Sequence, residues 1–298
     1  MAADSTLPGF AELETACRAY GLSAVGAQLL HRRSNAVWLV GDTVARLAPD
    51  TALRRIRAST GVAVSRWLTA VTAEPIALDP LPGEQPVLTG AAVATFWPYR
   101  PTTERPTIAA VADLVRRLHA QPLPPFEIPT YRPLRRLQDA LDVDDARAEP
   151  ALTVEERDWL LVRARELIAA FDATEFPLGR GLVHADAHDE NVIIHDGRWV
   201  LIDWDNACFG PRELDLVGTL PDHFHTSRSE RAEFVGAYGY DLLEWADWPL
   251  LRDITEYHSL GSYIRLAPSV PQAARELRRR VESLRSGDRR VVWRTLSR

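Results

Sequence analysis

The stretch "GLVHADAHDENVIIHDGRWVLIDWDNACFG", residues 181–210, crowds histidines, carboxylates and an asparagine around two short apolar runs. Asp186 lies in a segment too polar for a core, and Asn191 follows five residues later. "VII" and "WVLI" read as strands joined by His195-Asp196-Gly197-Arg198, and Asp-Gly at the turn is a strong hairpin signal because both turn positions need positive φ. Folding the chain back there pairs Ile194 with Trp199 and Val192 with Leu201, which brings Asn191 and Asp203 to the same open end. On an ideal ladder those two point to opposite faces, so at least one is expected beyond regular pairing. An Asn and an Asp are hard oxygen donors. With the remaining positions left to water and phosphate, such a pair is how proteins hold Mg²⁺ with a nucleotide. A third carboxylate nearby could orient and deprotonate a hydroxyl. Charge neutralisation by a metal and a positioned acceptor are what phosphoryl transfer needs.

The elements that position these groups are legible around them. A helix is expected over 7–20. "AVWLV" and "TVARL" then read as strands separated by Gly41-Asp42, another hairpin signal. Alternation puts Arg46 on the face of Val44, with Ala45 and Leu47 opposite, so one long cation stands on an otherwise apolar face. A helix fits 53–71, and "AAVATFW" reads as a buried strand. The prolines of "WPYRPTTERP" cannot sit inside a helix or central strand and mark a hinge. Beyond it the pattern is mainly helical, over 108–120 and 156–171 and again towards the C-terminus, with a loop over 121–133.

Composition limits the partners. The 298 residues are 46% hydrophobic and 26% charged, with no apolar run long enough to span a bilayer. "MAADSTLPGF" lacks the basic start and apolar stretch of a secretory signal, so a cytoplasmic protein without a membrane partner is expected. Cys17 and Cys208 are too few for a disulfide framework. Lysine is absent: all 35 basic residues are arginine, against 41 acidic ones, for a net charge of −6. Such a balance does not suit a nucleic-acid partner. The basic run "RELRRRVESLRSGDRR" carries Leu277, Val281 and Leu284 at helical spacing and reads as a docked amphipathic helix with solvated arginines.

"HADAHDEN" followed by "IDWD" and "GPRELDL" resembles the catalytic loop, metal-binding aspartate and following segment of the aminoglycoside phosphotransferase and choline kinase-like small-molecule kinases. Weaker matches in "SNAVWLV", "VARL" and "FWPY" extend the likeness to most of the chain. The resemblance implies a bilobal, protein-kinase-like α+β fold: a small antiparallel-sheet lobe over 1–97 and a larger, mainly helical lobe over 98–298. It implies Asp186 as catalytic base, Asn191 and Asp203 as Mg²⁺ ligands, and His184 and His188 as residues that shape the loop. Arg46 would grip the phosphates of ATP or GTP, and Ser34 and Asn35 would offer them donors in place of a glycine-rich loop. The base of the nucleotide would be read by backbone groups near Phe96, Trp97 and Tyr99.

The implied function is transfer of a phosphoryl group to a hydroxyl of a small molecule. The segment from Asp203 to Asp215 is too short to bind a peptide substrate, and carboxylates between Asp222 and Glu256 would attract a cationic alcohol such as an aminoglycoside or related antibiotic. Trp245, Trp248, Tyr257 and Tyr263 would supply flat walls. One departure stands out. Kinases pair the phosphate-gripping cation with a glutamate on the following helix, yet no acidic residue occurs between Asp50 and Glu74, and Ala63 is expected at the glutamate's place. The alternatives are a nucleotide-binding pseudokinase of the same fold, or a hydrolase with zinc on His184, Asp186 and His188.

Overall fold

The computed structural model describes residues 7–32 and 34–296. The first six residues, read for a leader, lie outside them. The chain groups into two compact units, one of residues 1–130 with 181–210 and the other of 131–180 with 211–298. This differs from the expected boundary at 97/98, because residues 98–130 pack with the N-terminal sheet. Residues 181–210 group with the N-terminal sheet.

The first unit opens with α1 (Phe10–Tyr20) and a five-stranded antiparallel sheet of β1 (Gln28–Arg32), β2 (Ala36–Val40), β3 (Thr43–Pro49), β4 (Val87–Leu88) and β5 (Ala92–Pro98), in the order β1-β2-β3-β5-β4. The β2–β3 turn falls at Gly41-Asp42, with Gly41 at φ 60°. Alternation along β3 divides its side chains as expected. Ala45 and Leu47 join the core under α1 with Leu13, Phe96 and Trp38, while Val44 faces a second cluster. α2 (Ala52–Val71) begins at Thr51, whose hydroxyl accepts from Arg54 N, and buries Thr60, Gly61, Val62, Val64, Ser65 and Leu68. α3 (Ile108–His119) is capped in the same way by Thr107 and ends in basic residues that suit the negative end of its dipole.

Residues 181–210 carry the opening of the site. β6 (Arg180–Val183) pairs with β9 (Cys208–Pro211), and between them β7 (Val192–His195) and β8 (Arg198–Leu201) form the expected hairpin, with Val192 opposite Leu201 and Ile194 opposite Trp199. Asp196 and Gly197 have φ of 49° and 74°, as a two-residue turn of this kind requires. Val200, Ile193 and Ile202 from the hairpin meet Val62, Leu78, Trp97 and Val44 in one apolar cluster. Backbone hydrogen bonds from Leu201 N to Ile76 O (2.7 Å) and Leu78 N to Leu201 O (3.3 Å) fix the hairpin's height. Burial of this cluster, stabilising by about 25 cal/mol per Å² of apolar surface, therefore holds hairpin, sheet and α2 together.

The second unit is helical: α4 (Arg135–Asp145), α5 (Val154–Ala173), α6 (Arg228–Tyr238), α7 (Trp248–Leu266) and α8 (Pro271–Ser286). Leu277 and Val281 of α8 are buried and Leu284 is half-buried, as expected of a docked amphipathic helix. Its arginine face is not wholly solvated. Arg280 is buried among Glu276, Tyr263 and Trp293, its guanidinium 3.9 Å from the Tyr263 ring centre. Among the described residues, no helix is long and apolar enough to cross a membrane.

Candidate active site

Arg46 projects from β3 on the face of Val44, and its side chain is only 15% exposed. Its Nη2 donates to Asp203 Oδ1 at 2.6 Å and to Asp205 Oδ2 at 3.2 Å. Burial works against the charged guanidinium, but the two carboxylates outweigh it and hold its pKa above the usual arginine range. The converse holds for Asp203. Burial raises its pKa, yet Arg46 more than compensates and keeps the carboxyl below its ordinary value.

Asp203 reaches Arg46 because the chain leaves the strand at that residue. The ladder ends with Ile202 N donating to Asn191 O at 2.9 Å, and Asp203 adopts φ 65°, ψ 53° before a 3-10 turn over Trp204–Asn206. Asn191 also sits off the strand, at the end of a 3-10 turn over Asp189–Asn191. Both ligands expected from the hairpin thus stand outside regular pairing, which removes the opposite-face constraint. Asn191 Nδ2 donates to Asp186 O at 2.8 Å and approaches His188 Nε2 at 3.1 Å. A carbonyl can only accept, so the amide nitrogen faces Asp186, His188 Nε2 is the acceptor, and Asn191 Oδ1 points the other way. The bond from Asn191 ties ligand and expected base into one loop. The Asp186 carboxylate is half-exposed, with His188 Nε2 3.7 Å and Asn206 Nδ2 3.5 Å from it.

His184 is fully buried, tilted against Trp204, and its Nε2 donates to Ile202 O at 2.9 Å. That nitrogen carries a proton and supports the Asp203 turn, and His184, Asp186 and His188 do not assemble as the alternative zinc set. Among the described residues no group of three or more His, Cys, Asp or Glu side chains could hold a metal. Two hard oxygen donors without a full cage suit Mg²⁺ arriving on phosphates, because that ion keeps several positions for water and phosphate oxygens.

Several of the groups expected to meet the nucleotide have partners within the protein. Phe96 lies on the opposite sheet face, fully buried and stacked on Tyr20 at 4.3 Å, and its backbone N donates to Gln85 Oε1. β-alternation decides this: Phe96 pairs with Ala45, which faces the α1 side. Tyr99 N donates to Asp42 O. Trp97 does belong to the site face, in the cluster beneath Arg46, with its Nε1 donating to Thr95. Asn35 is buried, and its amide serves Asp205 (Nδ2 to Oδ2, 3.2 Å) and Arg54 (Nη1 to Oδ1, 3.5 Å) rather than standing open for phosphate. Ser34 is exposed, and its carbonyl accepts from Arg54 Nη2 at 3.0 Å.

Two features escaped the sequence reading. Asp205 is a direct partner of Arg46; the signal available was the absence of any acid over 51–73 together with a carboxylate two residues beyond Asp203. Ala185 has φ 59°, a conformation that costs an alanine roughly 1–2 kcal/mol. In the second unit, the carboxylates expected to face a cationic acceptor are partly spent. Asp253 is paired with Arg163, Arg252 and Arg289, and Glu256 with Arg289 and His223. Trp245, Tyr257 and Tyr263 are buried in packing, and Arg252 lies over Trp248.

Comparison with known proteins agrees with this geometry. The family described as "Phosphotransferase enzyme family" matches residues 26–254, well over half of the chain. No curated protein sequence matches. Among solved structures, amicoumacin kinase hAmiN, in complex with AMP-PNP, Ca²⁺ and Ami, superposes with a TM-score of 0.69 at 14% identity, covering 92% of each chain. A choline/ethanolamine kinase family protein from Mesorhizobium loti gives 0.63 at 17%, over 92% of this chain and 93% of that one. The GDP and kanamycin complex of APH(2")-IIia gives 0.60 at 14%, over 94% and 100%. The antiparallel sheet, the helical second unit and the 26–254 match together place this chain in the phosphotransferase enzyme family, the small-molecule kinases with a protein-kinase-like fold that transfer a phosphoryl group to a hydroxyl.

Proposed function

We propose that this phosphotransferase uses ATP or GTP, and that its acceptor is a small hydroxylated molecule, with aminoglycosides and related antibiotics foremost. The observation that carries the chemistry is the shared loop in which Asn191 Nδ2 binds Asp186 O while Arg46 reaches Asp203. Asp186 accepts a hydrogen bond from the acceptor hydroxyl and takes its proton as that oxygen attacks the γ-phosphorus. The new P–O bond forms while the bond to the β-phosphate oxygen breaks, and the nucleoside diphosphate leaves with those electrons. Asn191 Oδ1 and Asp203 are the groups that hold Mg²⁺, which when bound neutralises phosphate charge. Arg46 binds the phosphates, His188 and Asn191 keep the loop in register, and His184 supports the Asp203 turn. Residues 1–97 serve the nucleotide, and 98–298 supply the base and the acceptor contacts.

Support for an antibiotic acceptor comes from neighbours named for amicoumacin and kanamycin, although choline and ethanolamine kinases share the fold. The arginine partners of Asp253 and Glu256 mean that an ammonium group must find other carboxylates. The pseudokinase alternative rested on a phosphate-gripping cation without an acidic partner, and Arg46 has two.

The test is a nucleotide-consumption screen against aminoglycosides, other hydroxylated antibiotics, choline and homoserine, followed by Asp186→Asn on any substrate found. Asp186→Asn should abolish transfer and leave Mg²⁺-nucleotide affinity nearly intact; wild-type turnover in that variant refutes the assignment of the base.

A further inference from the structure

Arg46 is a buried cation on a sheet face that α2 covers, and α2 has nothing acidic to offer it. No Asp or Glu occurs over 51–73, and the helix residues that line the small cavity around the guanidinium are Arg54 and Ala58. Ala63, the position expected to stand in for a helix acid, is not among its walls. A guanidinium in this setting needs a fixed carboxylate, because desolvation without one is costly and leaves a long side chain free to turn.

The 3-10 turn after Asp203 supplies the carboxylate. Asp205 Oδ2 lies 3.2 Å from Arg46 Nη2 and accepts a second hydrogen bond from Asn35 Nδ2, also at 3.2 Å. Asn35 is held in turn by Arg54 from α2. The turn itself is anchored. Trp204 is buried, its Nε1 donates to Leu201 O at 3.2 Å, and its carbonyl accepts from Ala207 N at 3.0 Å. α2 makes room for it with Gly61, where an added Cβ would lie 3.5 Å from the Trp204 carbonyl carbon and 3.7 Å from Asp205 Oδ1. A side chain longer than a methyl group at 61 would therefore push the turn, and Asp205 with it, away from Arg46.

The guanidinium has two carboxylate partners of unequal future. Asp203 is one of the two groups suited to a divalent cation, and a carboxylate that turns to Mg²⁺ is no longer a full partner for arginine. Asp205, braced by Asn35, is the partner that stays. We propose that Asp205 is the positioning residue for Arg46: it brings from the 3-10 turn the carboxylate that α2 lacks, and keeps the guanidinium aimed at the nucleotide phosphates when Asp203 engages the metal. The proposal rests on the nucleotide-dependent function argued above. The competing role for a carboxylate two residues from Asp203 is that of a further metal ligand.

Calorimetric titration of ADP and of a non-hydrolysable ATP analogue, with Mg²⁺ and with EDTA, separates these roles in wild type and in Asp205→Asn, a substitution that removes charge and little volume. Expected for Asp205→Asn is about ten-fold weaker nucleotide binding with Mg²⁺ and a smaller loss with EDTA, where Asp203 still holds Arg46, with the Mg²⁺ concentration giving half-maximal binding unchanged. Where turnover is measurable, the nucleotide KM should rise by a similar factor while kcat falls less. Asn35→Ala, which removes the brace and leaves both charges, should weaken binding in the same direction by a smaller factor, and covers the case in which Asp205→Asn folds poorly. Wild-type affinity in both variants overturns the proposal. So does a loss confined to the Mg²⁺-containing titration with a shifted Mg²⁺ midpoint, which identifies Asp205 as a metal ligand. If the wild-type protein itself binds no Mg²⁺-nucleotide, it is the function argued above that fails.

Discussion

Arg46 Nη2 lies 2.6 Å from Asp203 Oδ1, across 157 residues of sequence, so the cation of β3 and the carboxylate after β8 neutralise each other inside one compact unit. Removing the cation leaves two partly buried carboxylates facing each other's charge. Arg46→Ala should therefore cost the metal-free protein about 2 kcal/mol, less than a fully buried pair because Asp203 is one-third exposed. Millimolar Mg²⁺ should recover part of that loss by binding the exposed carboxylates. Thermal unfolding with EDTA and with MgCl₂ checks this. A variant with the wild-type melting temperature, or one indifferent to Mg²⁺, speaks against the ion pair.

The same pair predicts a pH signature. The Asp203 pKa is depressed in the folded state, so its contribution is fully present above the ordinary carboxylate pKa near about 3.9. It is lost as pH falls through the lower folded value. Urea unfolding of wild type and Asp203→Asn at pH 7, 5, 4 and 3 should show a stability difference that is constant down to about pH 4 and shrinks below it. A difference that stays the same at pH 3 contradicts the assigned shift.

Ala185 stands at φ 59° immediately before the expected base. Glycine relieves the Cβ clash but adds freedom to the unfolded chain, and the first effect is the larger. Ala185→Gly should stabilise by about 0.5–1 kcal/mol, and Ala185→Val, with a branched Cβ, should destabilise. Denaturant midpoints for the two variants decide it; a glycine variant less stable than wild type shows that the strain is not there.

Gly261, on α7, lies against α4, and a Cβ built on it would come 2.6 Å from Arg136 O and 2.9 Å from the Arg136 carbonyl carbon. Backbone cannot yield that distance cheaply. Helix propensity favours alanine over glycine by about 1 kcal/mol, so the sign of Gly261→Ala measures which effect dominates. We expect net destabilisation of about 2 kcal/mol, read as a lower urea midpoint at unchanged slope. Neutral or raised stability means the two helices separate easily at this crossing.

What could be read from the chain alone was whatever a few neighbouring residues decide. The Asp196-Gly197 turn set the register of Val192 with Leu201, alternation set the face of Arg46, and helical spacing placed Leu277 and Val281 against a core. Those signals brought Asn191 and Asp203 to one end of a hairpin before any coordinates. Tertiary packing decided the rest. Phe96 is turned away because its strand neighbour Trp97 takes the site face, Asp253 and Glu256 are claimed by arginines from α5 and from residues near 289, and Arg46 takes its second carboxylate from a turn that Gly61 lets approach. The physical reason is range: dihedral preference and periodicity act within a turn or two of chain, whereas the partner of a buried charge is whichever opposite charge the folded backbone carries within about 3 Å.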